Sequence, residues 1–398
     1  MRAEFLPFSP PLIGEEEIAE VVDTLRSDWI TTGPKTTQFE NDFAEKVGSP
    51  GALAVFSCTD ALQVALAALG VGPGDAVFTS TFTFCATAHV VEHLGATPVL
   101  VDIDPQTLNL DPLALRKAIA DHAAEGRLTP RAIMPVHYSG HPCDMDEIDQ
   151  IAAENQLAII EDAAHALPAS VDGRCIGDPS APAGVVRATA FSFYATKNLT
   201  TGEGGMLTGP RDFLDEARLW ALHGMSRDAW NRYGKGGSWF YEVVRPGFKC
   251  NMTDIQASLG LHQLRKLDAM QRRRREIVDR YDKALGQVEE IQCLVERRGV
   301  TSAWHLYPIR LHLERLVIDR ARFIDELAQR NIASSVHFIP VHVHPFYRDK
   351  YGFENEQFPV AWAEYQRLVS LPLYPRMTDQ DVDDVVDAVT DVIAAHRR

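Results

Sequence analysis

The feature that most constrains the fold is a regular alternation of short apolar runs with helical patterns, which starts near residue 50. The apolar runs Ala52–Phe56, Ala76–Ser80 and Thr97–Asp102 are typical of buried strands, and the segments Thr59–Leu69 and Phe84–Leu94 between them have helical spacing. Strands that are separated by helices of this length form βαβ units. The sequence therefore predicts an α/β fold built on a large, mainly parallel sheet.

The alternation continues to about residue 210 and then changes. Further strands are predicted at Arg131–Val136, Leu157–Ile160, Ala188–Phe193 and Gly205–Thr208, with a helix at Met145–Asn155. Beyond them the patterns predict a long helix at Thr253–Tyr281, strands at Tyr307–Leu311 and Ala333–Val336, and helices at Asp319–Arg330 and Asp379–His396. We therefore predict a large domain over residues 1–265 and a smaller α+β domain over residues 266–398.

Charge and composition exclude several classes of protein. The formal net charge of −16 argues against a nucleic-acid partner, although a local cationic pocket can still bind a small anion. The apolar runs are too short for a membrane span, and Met1–Pro11 lacks the apolar core of a signal peptide, so we expect a cytoplasmic protein. The six cysteines form no C-x-x-C pair, which favours buried free thiols over a zinc ribbon.

The segment Ser57–Leu62 places small and hydroxylic residues where a strand passes into a helix. The free backbone N–H groups and the positive end of the helix dipole make such a turn a site for an anion. A helix cap without a ligand is the alternative, because the segment is not rich in glycine.

Two further strand ends carry groups that suit pyridoxal phosphate (PLP). Glu161 and Asp162 end an apolar strand, and an acid there can pair with a protonated pyridine nitrogen. Lys197 lies in a polar loop after another strand, and a lysine with a lowered pKa can form a Schiff base. Taken singly, the two acids could simply form a turn, and a lone lysine in a loop is usually a solvated surface residue. Their combination with the anion-binding turn favours a PLP site.

Histidines cluster at Val336–His344, where the alternation predicts an extended segment with His342 and His344 on one face. A metal site is one interpretation. No Asp, Glu or Cys nearby completes a ligand set, so a packed or substrate-facing role is favoured and no metal is expected. A nicotinamide-dependent oxidoreductase is also disfavoured, because no G-x-G-x-x-G follows the early strand.

The chain resembles the DegT/DnrJ/StrS family of sugar aminotransferases along nearly its whole length. The stretches that carry the resemblance are Phe5–Gly14, Trp29–Lys35, Pro135–Gly140, Glu161–His165, Phe191–Asn198 and Pro246–Asp254. The resemblance implies the fold of aspartate aminotransferase (fold type I) and a homodimer with active sites at the interface. The chain departs from the family pattern at Cys58, where many relatives have glycine or alanine, and in a longer segment at Gly177–Arg187, which we expect to be a surface loop.

The resemblance also implies a set of site residues. Lys197 would carry PLP as a Schiff base and shuttle the proton, and Asp162 would pair with the pyridine nitrogen. His165 would lie close to the ring and its hydroxyl, and Phe84 would stack on the ring. The phosphate would be held by Thr59, Asp60 and Ser192, with Asn251 reaching across from the partner subunit. Residues expected to line the sugar pocket are Thr31, His337 and His342.

The implied reaction is transamination of a nucleotide-linked keto sugar, with glutamate as the amino donor. The N-terminal stretches look most like relatives that aminate C4 of UDP- or dTDP-linked 4-keto sugars, including the 4-amino-4-deoxy-arabinose type. Alternatives are a 3-keto-sugar aminotransferase, a PLP-dependent sugar dehydratase and a non-enzymatic regulator. The dehydratases replace the lysine with histidine, so Lys197 argues against that branch, and the acidity of the chain argues against a DNA-binding regulator.

Overall fold

The computed structural model describes residues 2–225 and 240–398. In chain order its strands are β1 (Ala52–Val55), β2 (Asp75–Ser80), β3 (Thr97–Val101), β4 (Thr129–Met134), β5 (Ala158–Asp162), β6 (Ser170–Val171), β7 (Arg174–Cys175), β8 (Arg187–Ser192), β9 (Gly205–Thr208), β10 (Ile291–Cys293), β11 (Val300–Thr301), β12 (Tyr307–Leu311) and β13 (Leu368–Leu371).

The α-helices are α1 (Glu15–Arg26), α2 (Pro34–Val47), α3 (Cys58–Ala68), α4 (Ala86–His93), α5 (Pro112–Glu125), α6 (Met145–Asn155), α7 (Arg211–Ala221), α8 (Asp254–Leu285), α9 (Arg320–Gln329), α10 (Pro345–Tyr351), α11 (Pro359–Arg367) and α12 (Asp379–His396). Short 3-10 helices include Tyr138–Gly140 and Val341–Val343. No helix in the described part of the chain is both long enough and apolar enough to cross a bilayer.

The central sheet has seven strands in the order β1-β9-β8-β5-β4-β2-β3. Strand β9 runs antiparallel to both of its neighbours, and the other neighbouring pairs are parallel. Burial on both faces explains why the inner strands have nearly continuous apolar sequences rather than alternating ones. The prediction of a large, mainly parallel sheet is confirmed.

Helices cover both faces of this sheet. On one face α3 and α7 pack around Leu62 and Leu207. On the other, α2 and α8 pack around a cluster of phenylalanines, of which Phe39 and Phe193 are fully buried. The two layers exclude water from the sheet and leave the ends of its strands as the place where a polar ligand can enter.

The C-terminal part of the chain forms a second, smaller sheet that is packed against helices. An antiparallel sheet, β10-β12-β13, packs against α9, α12 and the second half of α8. Thr253 caps helix α8, because its hydroxyl accepts a hydrogen bond from the Gln256 N–H. The helix runs unbroken through residue 265, so the predicted domain boundary falls inside a continuous helix. The division into two domains there stays a prediction.

Two local predictions are wrong. Ala333–Val336 forms no strand, because the segment has a single bridge, from Ser335 to Ser370. The segment Val341–Val343 is a turn of 3-10 helix rather than extended chain, so period-two alternation does not describe His342 and His344. The predicted loop at Gly177–Arg187 is irregular up to the start of β8.

Candidate active site

The candidate site is a cavity of about 640 Å³ at the carboxyl ends of the central strands. Strand β1 leads into it through Ser57, β5 through Asp162 and β8 through Ser192. Because these strands are parallel, their carboxyl ends meet at one edge of the sheet. Side chains that are distant in the sequence therefore converge on one space.

Helix α3 points its N-terminus at the cavity. The Ser57 hydroxyl caps the helix by accepting a hydrogen bond from the Asp60 N–H at 3.0 Å, and it donates to the Asp60 carboxylate at 2.8 Å. The first N–H groups of a helix have no partner within it, so those of Cys58 and Thr59 are donors for a ligand. Gly205 lies against this turn, where a Cβ would come within 2.4 Å of the Ser57 carbonyl carbon.

Asp162 and its neighbour Glu161 face opposite sides of the sheet, as successive strand residues do. Asp162 points into the cavity and is almost completely buried. Glu161 points away from it, accepts a 2.7 Å hydrogen bond from His137 Nε2 and lies beside Arg187. Burial raises the pKa of Asp162, and hydrogen bonds from Thr87 and the Ala164 N–H act to lower it.

Lys197 lies in the turn after β8, where its N–H donates to the Tyr194 carbonyl at 2.9 Å. The side chain lines the cavity, and the residue as a whole is of intermediate exposure. Burial of the amine lowers its pKa to about 8, although the charge of Asp162 acts to raise it. A sizeable share of the amine is therefore uncharged near neutral pH, as a nucleophile or a base requires.

Asn198 fixes the loop that carries Lys197. Its amide nitrogen donates to the carbonyls of Leu167 and Ala303, at 2.9 and 2.8 Å. Its oxygen consequently faces the ring of His305, whose Nδ1 lies 3.2 Å away and must carry the proton. The loop of the lysine is thereby tied to the segment that follows β5, through Leu167, and to the C-terminal half of the chain, through Ala303 and His305.

Three cavity histidines favour the uncharged form. Burial, together with the charge of Lys197, lowers the pKa of His165 and of His305 well below its ordinary value and that of His337 to about 4. The rings of His165 and His305 are 4.4 Å apart. Nδ1 of His165 is buried and has no hydrogen-bond partner among the described residues.

Aromatic rings form the wall opposite the sheet. Phe338 stacks on His165 with ring centroids 5.6 Å apart and lies 6.1 Å from Phe84, which is 60% exposed. Phe8, from the N-terminal segment, stacks on His337 at 5.4 Å. The cavity is thus polar along the strand ends and aromatic on the other side.

The structure brings most of the predicted site residues together but not all. Those that line the cavity are Thr59, Phe84, Asp162, His165, Ser192, Lys197 and His337. Asp60 and Thr31 lie outside the lining. Asp60 supports the capping turn, and Thr31 accepts the Asp254 N–H through its carbonyl. Asn251 donates to the Thr32 hydroxyl at 2.7 Å and also lies outside this chain's cavity.

His342 is buried in the protein core instead of facing the cavity. Its ring binds the Thr81 hydroxyl at 2.7 Å and stacks on Phe358 at 4.5 Å. A packed role, one of the two alternatives open for this residue, describes its contacts in this chain. Among the described residues no group of three or more His, Cys, Asp or Glu side chains could hold a metal ion.

Sequence reasoning missed several cavity residues: Phe8, Thr83, Thr87, His305 and Phe338. Thr83 and Thr87 are four residues apart, the spacing of one helical turn, which is a weak signal by itself. Their importance depends on a contact with Asp162, 75 residues further along the chain. No local pattern reports such a contact.

A buried carboxylate, an amine with a lowered pKa and a helix N-terminus lie at one edge of a mainly parallel sheet. Together with the seven-stranded order, these features define a transferase of the aspartate aminotransferase fold. The chain belongs to the DegT/DnrJ/EryC1/StrS aminotransferase family, whose model matches residues 11–390.

Relatives match over the whole length. The spore coat polysaccharide biosynthesis protein SpsC of Bacillus subtilis is 50% identical over 396 residues, which is 98% of each chain. The uncharacterized protein MJ1066 of Methanocaldococcus jannaschii is 48% identical over 398 residues, all of both chains. Spr1654 of Streptococcus pneumoniae, a provisionally assigned sugar aminotransferase, has been solved in PMP and PLP forms. Its PMP form is 37% identical with a TM-score of 0.90, covering 98% of this chain and 99% of that one.

The lowered pKa of Lys197 predicts an unusual pH dependence of its reactivity in cofactor-free protein. Pulse acetylation followed by peptide mass spectrometry should give half-maximal labelling near pH 8, with Lys117 on the surface as internal reference. In D162N the midpoint should move to lower pH, because the carboxylate that favours the ammonium form is gone. A midpoint near 10.5, the ordinary value for lysine, or one that D162N does not move, would contradict this electrostatic account.

Proposed function

We propose that this protein is a PLP-dependent aminotransferase that aminates a nucleotide-linked keto sugar, with glutamate as the amino donor. The observation that carries the proposal is the convergence of Lys197, Asp162 and the N-terminus of α3 on one cavity. The family gives the reaction class. The sugar, its linkage and the donor are proposed on the grounds given below.

The residues of the cavity fit PLP by their chemistry. The free N–H groups of α3, with the hydroxyls of Thr59 and Ser192, suit its phosphate. Asp162 suits the pyridine nitrogen, and the amine of Lys197 suits the aldehyde, to which it would be joined as a Schiff base. The unpaired Nδ1 of His165 and the exposed ring of Phe84 suit contacts with the cofactor ring and its substituents. When bound, PLP supplies an electron sink that makes a neighbouring C–H bond acidic.

The protein's own groups would then move the proton. Lys197 Nζ is the base that would accept the proton from the α-carbon of the amino donor and hold it for return to the substrate. A pKa of about 8 suits both steps, because the amine can accept and release a proton near neutral pH. As an anion, Asp162 would offset positive charge at the pyridine nitrogen. The uncharged imidazoles of His165 and His305 avoid adding repulsion to a protonated Lys197.

The choice of a sugar substrate has two supports. SpsC, which matches along the full chain, is a protein of polysaccharide biosynthesis, and Spr1654 is assigned as a sugar aminotransferase. The aromatic wall of Phe8, His337 and Phe338 suits the apolar face of a sugar ring. A 4-keto sugar linked to UDP or dTDP is the proposed substrate class, and a 3-keto sugar is the alternative. We expect the reaction in the cytoplasm.

A homodimer with shared sites is part of the proposal. Helix α1 exposes Ile18, Val22 and Leu25 along one stripe, and Trp29 and Ile30 continue it. An apolar surface of this kind is typical of a contact between subunits. Asn251 lies outside the cavity of its own chain, as a residue that serves the partner's phosphate would.

PLP added to the purified protein should give a visible absorbance band that disappears in K197A. The alanine variant lacks the amine that joins the cofactor to the protein, so the band and measurable turnover should both be lost. K117A is the matched control, because Lys117 lies on the surface with a side chain 78% exposed, and it should keep the band.

Without PLP, the wild-type protein and both variants should have similar melting temperatures, which shows that all three are folded. A wild-type protein that stays colourless with PLP would refute the cofactor assignment. A K197A variant that keeps the band would refute the assignment of the lysine.

Transamination through one site in two half-reactions predicts ping-pong kinetics. Double-reciprocal plots with glutamate and the keto sugar varied should give parallel lines. A panel of UDP- and dTDP-linked 4-keto and 3-keto sugars would identify the substrate by mass spectrometry of the amino product. Intersecting lines, or release of water from the sugar without amination, would contradict the proposed reaction.

Charges on the exposed stripe of α1 should break the dimer. The wild-type protein should sediment at twice the chain mass of 44.2 kDa, and the double variant I18D/L25D at the mass of one chain with a loss of PLP affinity. L113D is the control, because Leu113 is 76% exposed and lies on α5. A wild-type monomer that binds PLP and turns over would contradict the shared site.

A further inference from the structure

The two carboxylate oxygens of Asp162 have different partners. Oδ1 accepts the N–H of Ala164 at 3.1 Å, and the thiol of Cys58 lies 3.9 Å from it. Oδ2 accepts the hydroxyl of Thr87 at 2.8 Å. A hydroxyl at this distance from a carboxylate makes a stronger hydrogen bond than a thiol at 3.9 Å, so Thr87 provides the main side-chain contact to Asp162.

Thr87 belongs to a short series of hydrogen-bonded hydroxyl groups, in which each hydroxyl donates its proton toward Asp162. Its oxygen is 2.8 Å from the Thr83 hydroxyl and 3.2 Å from the Phe84 carbonyl. Its single proton goes to the charged and nearer acceptor, Asp162, so Thr83 donates to Thr87 and Thr87 donates to Asp162. Hydrogen bonds arranged in this order strengthen one another.

Burial makes the hydroxyls of Thr83 and Thr87 important to Asp162. Thr87 is fully buried and Thr83 is 1% exposed, so both hydroxyls depend on partners within the protein for their hydrogen bonds. Without Thr87, one oxygen of a buried carboxylate would lose its side-chain donor. Burial already raises the pKa of Asp162, and the Thr87 hydrogen bond is the first of the contributions that lower it.

The secondary structure fixes the geometry of the contact. Thr87 lies in the first turn of α4, and Asp162 is the last residue of β5. Both elements are packed into the large domain, with Ala88 and Ile160 fully buried beside them. The direction from which Thr87 donates is therefore set by the fold rather than by a mobile loop.

We propose that Thr87 is a positioning residue that orients the Asp162 carboxylate and keeps it anionic toward the pyridine nitrogen of the cofactor, with Thr83 supporting it. The inference rests on the proposed function, since it concerns how this chain would hold PLP. It assigns a role to two residues of α4 and its entry loop that do not touch the reacting atoms. The proposed role concerns the contact between Asp162 and the pyridine nitrogen. A cofactor analogue that lacks this nitrogen therefore tests the role specifically.

The test compares two ligands with the cofactor-free protein: PLP, and the PLP analogue in which a C–H group replaces the pyridine nitrogen. T87V keeps nearly the shape of threonine but lacks the hydroxyl. It should weaken PLP binding roughly 10- to 100-fold, the size expected for a lost hydrogen bond to a charged group. It should change binding of the analogue much less, because the analogue offers Asp162 no N–H. T87S restores the hydroxyl and should bind PLP within a few-fold of wild type.

T83V is a second variant, and it should weaken PLP binding by a smaller factor than T87V does. It provides the same test if T87V does not fold. An equal loss for both ligands in T87V, or PLP affinity unchanged in both valine variants, would overturn the role of Thr87. Wild-type protein that binds neither ligand would instead overturn the proposed function, so the two failures are distinguishable.

Discussion

Strands β5 and β8 run side by side in the same direction, and this parallel pairing is the constraint on which the site depends. Its register sets Asp162 opposite Ala190, two residues before Ser192. The chain leaving β8 then has to turn at the carboxyl edge of the sheet, and Lys197 lies in that turn. A shift of one residue in the pairing would turn Asp162 to the other face, where Glu161 now lies. The carboxylate and the amine thus share a cavity because the sheet register requires it.

Burial explains the electrostatics of the site. Enclosure disfavours the charged forms of both Asp162 and Lys197, and the pKa values of the two move toward each other as a result. Their mutual attraction and the hydroxyl of Thr87 act against this change. Burial and the charge of Lys197 hold the pKa of the neighbouring imidazoles of His165 and His305 well below its ordinary value. The cavity therefore holds an amine that exchanges protons near neutral pH beside a carboxylate with a fixed orientation, which is a useful arrangement for moving a proton on a bound substrate.

The sequence predicted the elements whose pattern is local. Helices α6 and α12 match their predicted bounds, and the strand at Tyr307–Leu311 does too, because apolar spacing alone determines which residues face the core. The predicted strand at Ala333–Val336 and the extended segment at His342 are wrong. In that region tertiary contacts, such as the Thr81 hydrogen bond to His342, override the local pattern.

The residues of the site likewise divide into those that a local sequence pattern predicts and those that depend on distant partners. Asp162 ends a strand, and the Ser57 turn and the Lys197 loop come shortly after strands, so their position at one edge of the sheet could be predicted from the sequence. Thr87, His305 and Phe338 could not, because each acquires its role from a partner far away in the chain. The contact between His305 and Asn198, for example, spans 107 residues. The role proposed for Asn251, as a residue that serves the partner's phosphate, depends on a second chain, which a single sequence does not describe.

The central claim is that Lys197 carries the cofactor, and the measurement that tests it most directly is a map of the attachment site. The protein is loaded with PLP, reduced with borohydride to make the attachment permanent, digested and analysed by mass spectrometry. The account predicts that the added mass lies on the peptide that contains Lys197 and on no other lysine. Label on a different lysine, or no label in protein that binds PLP, would contradict it.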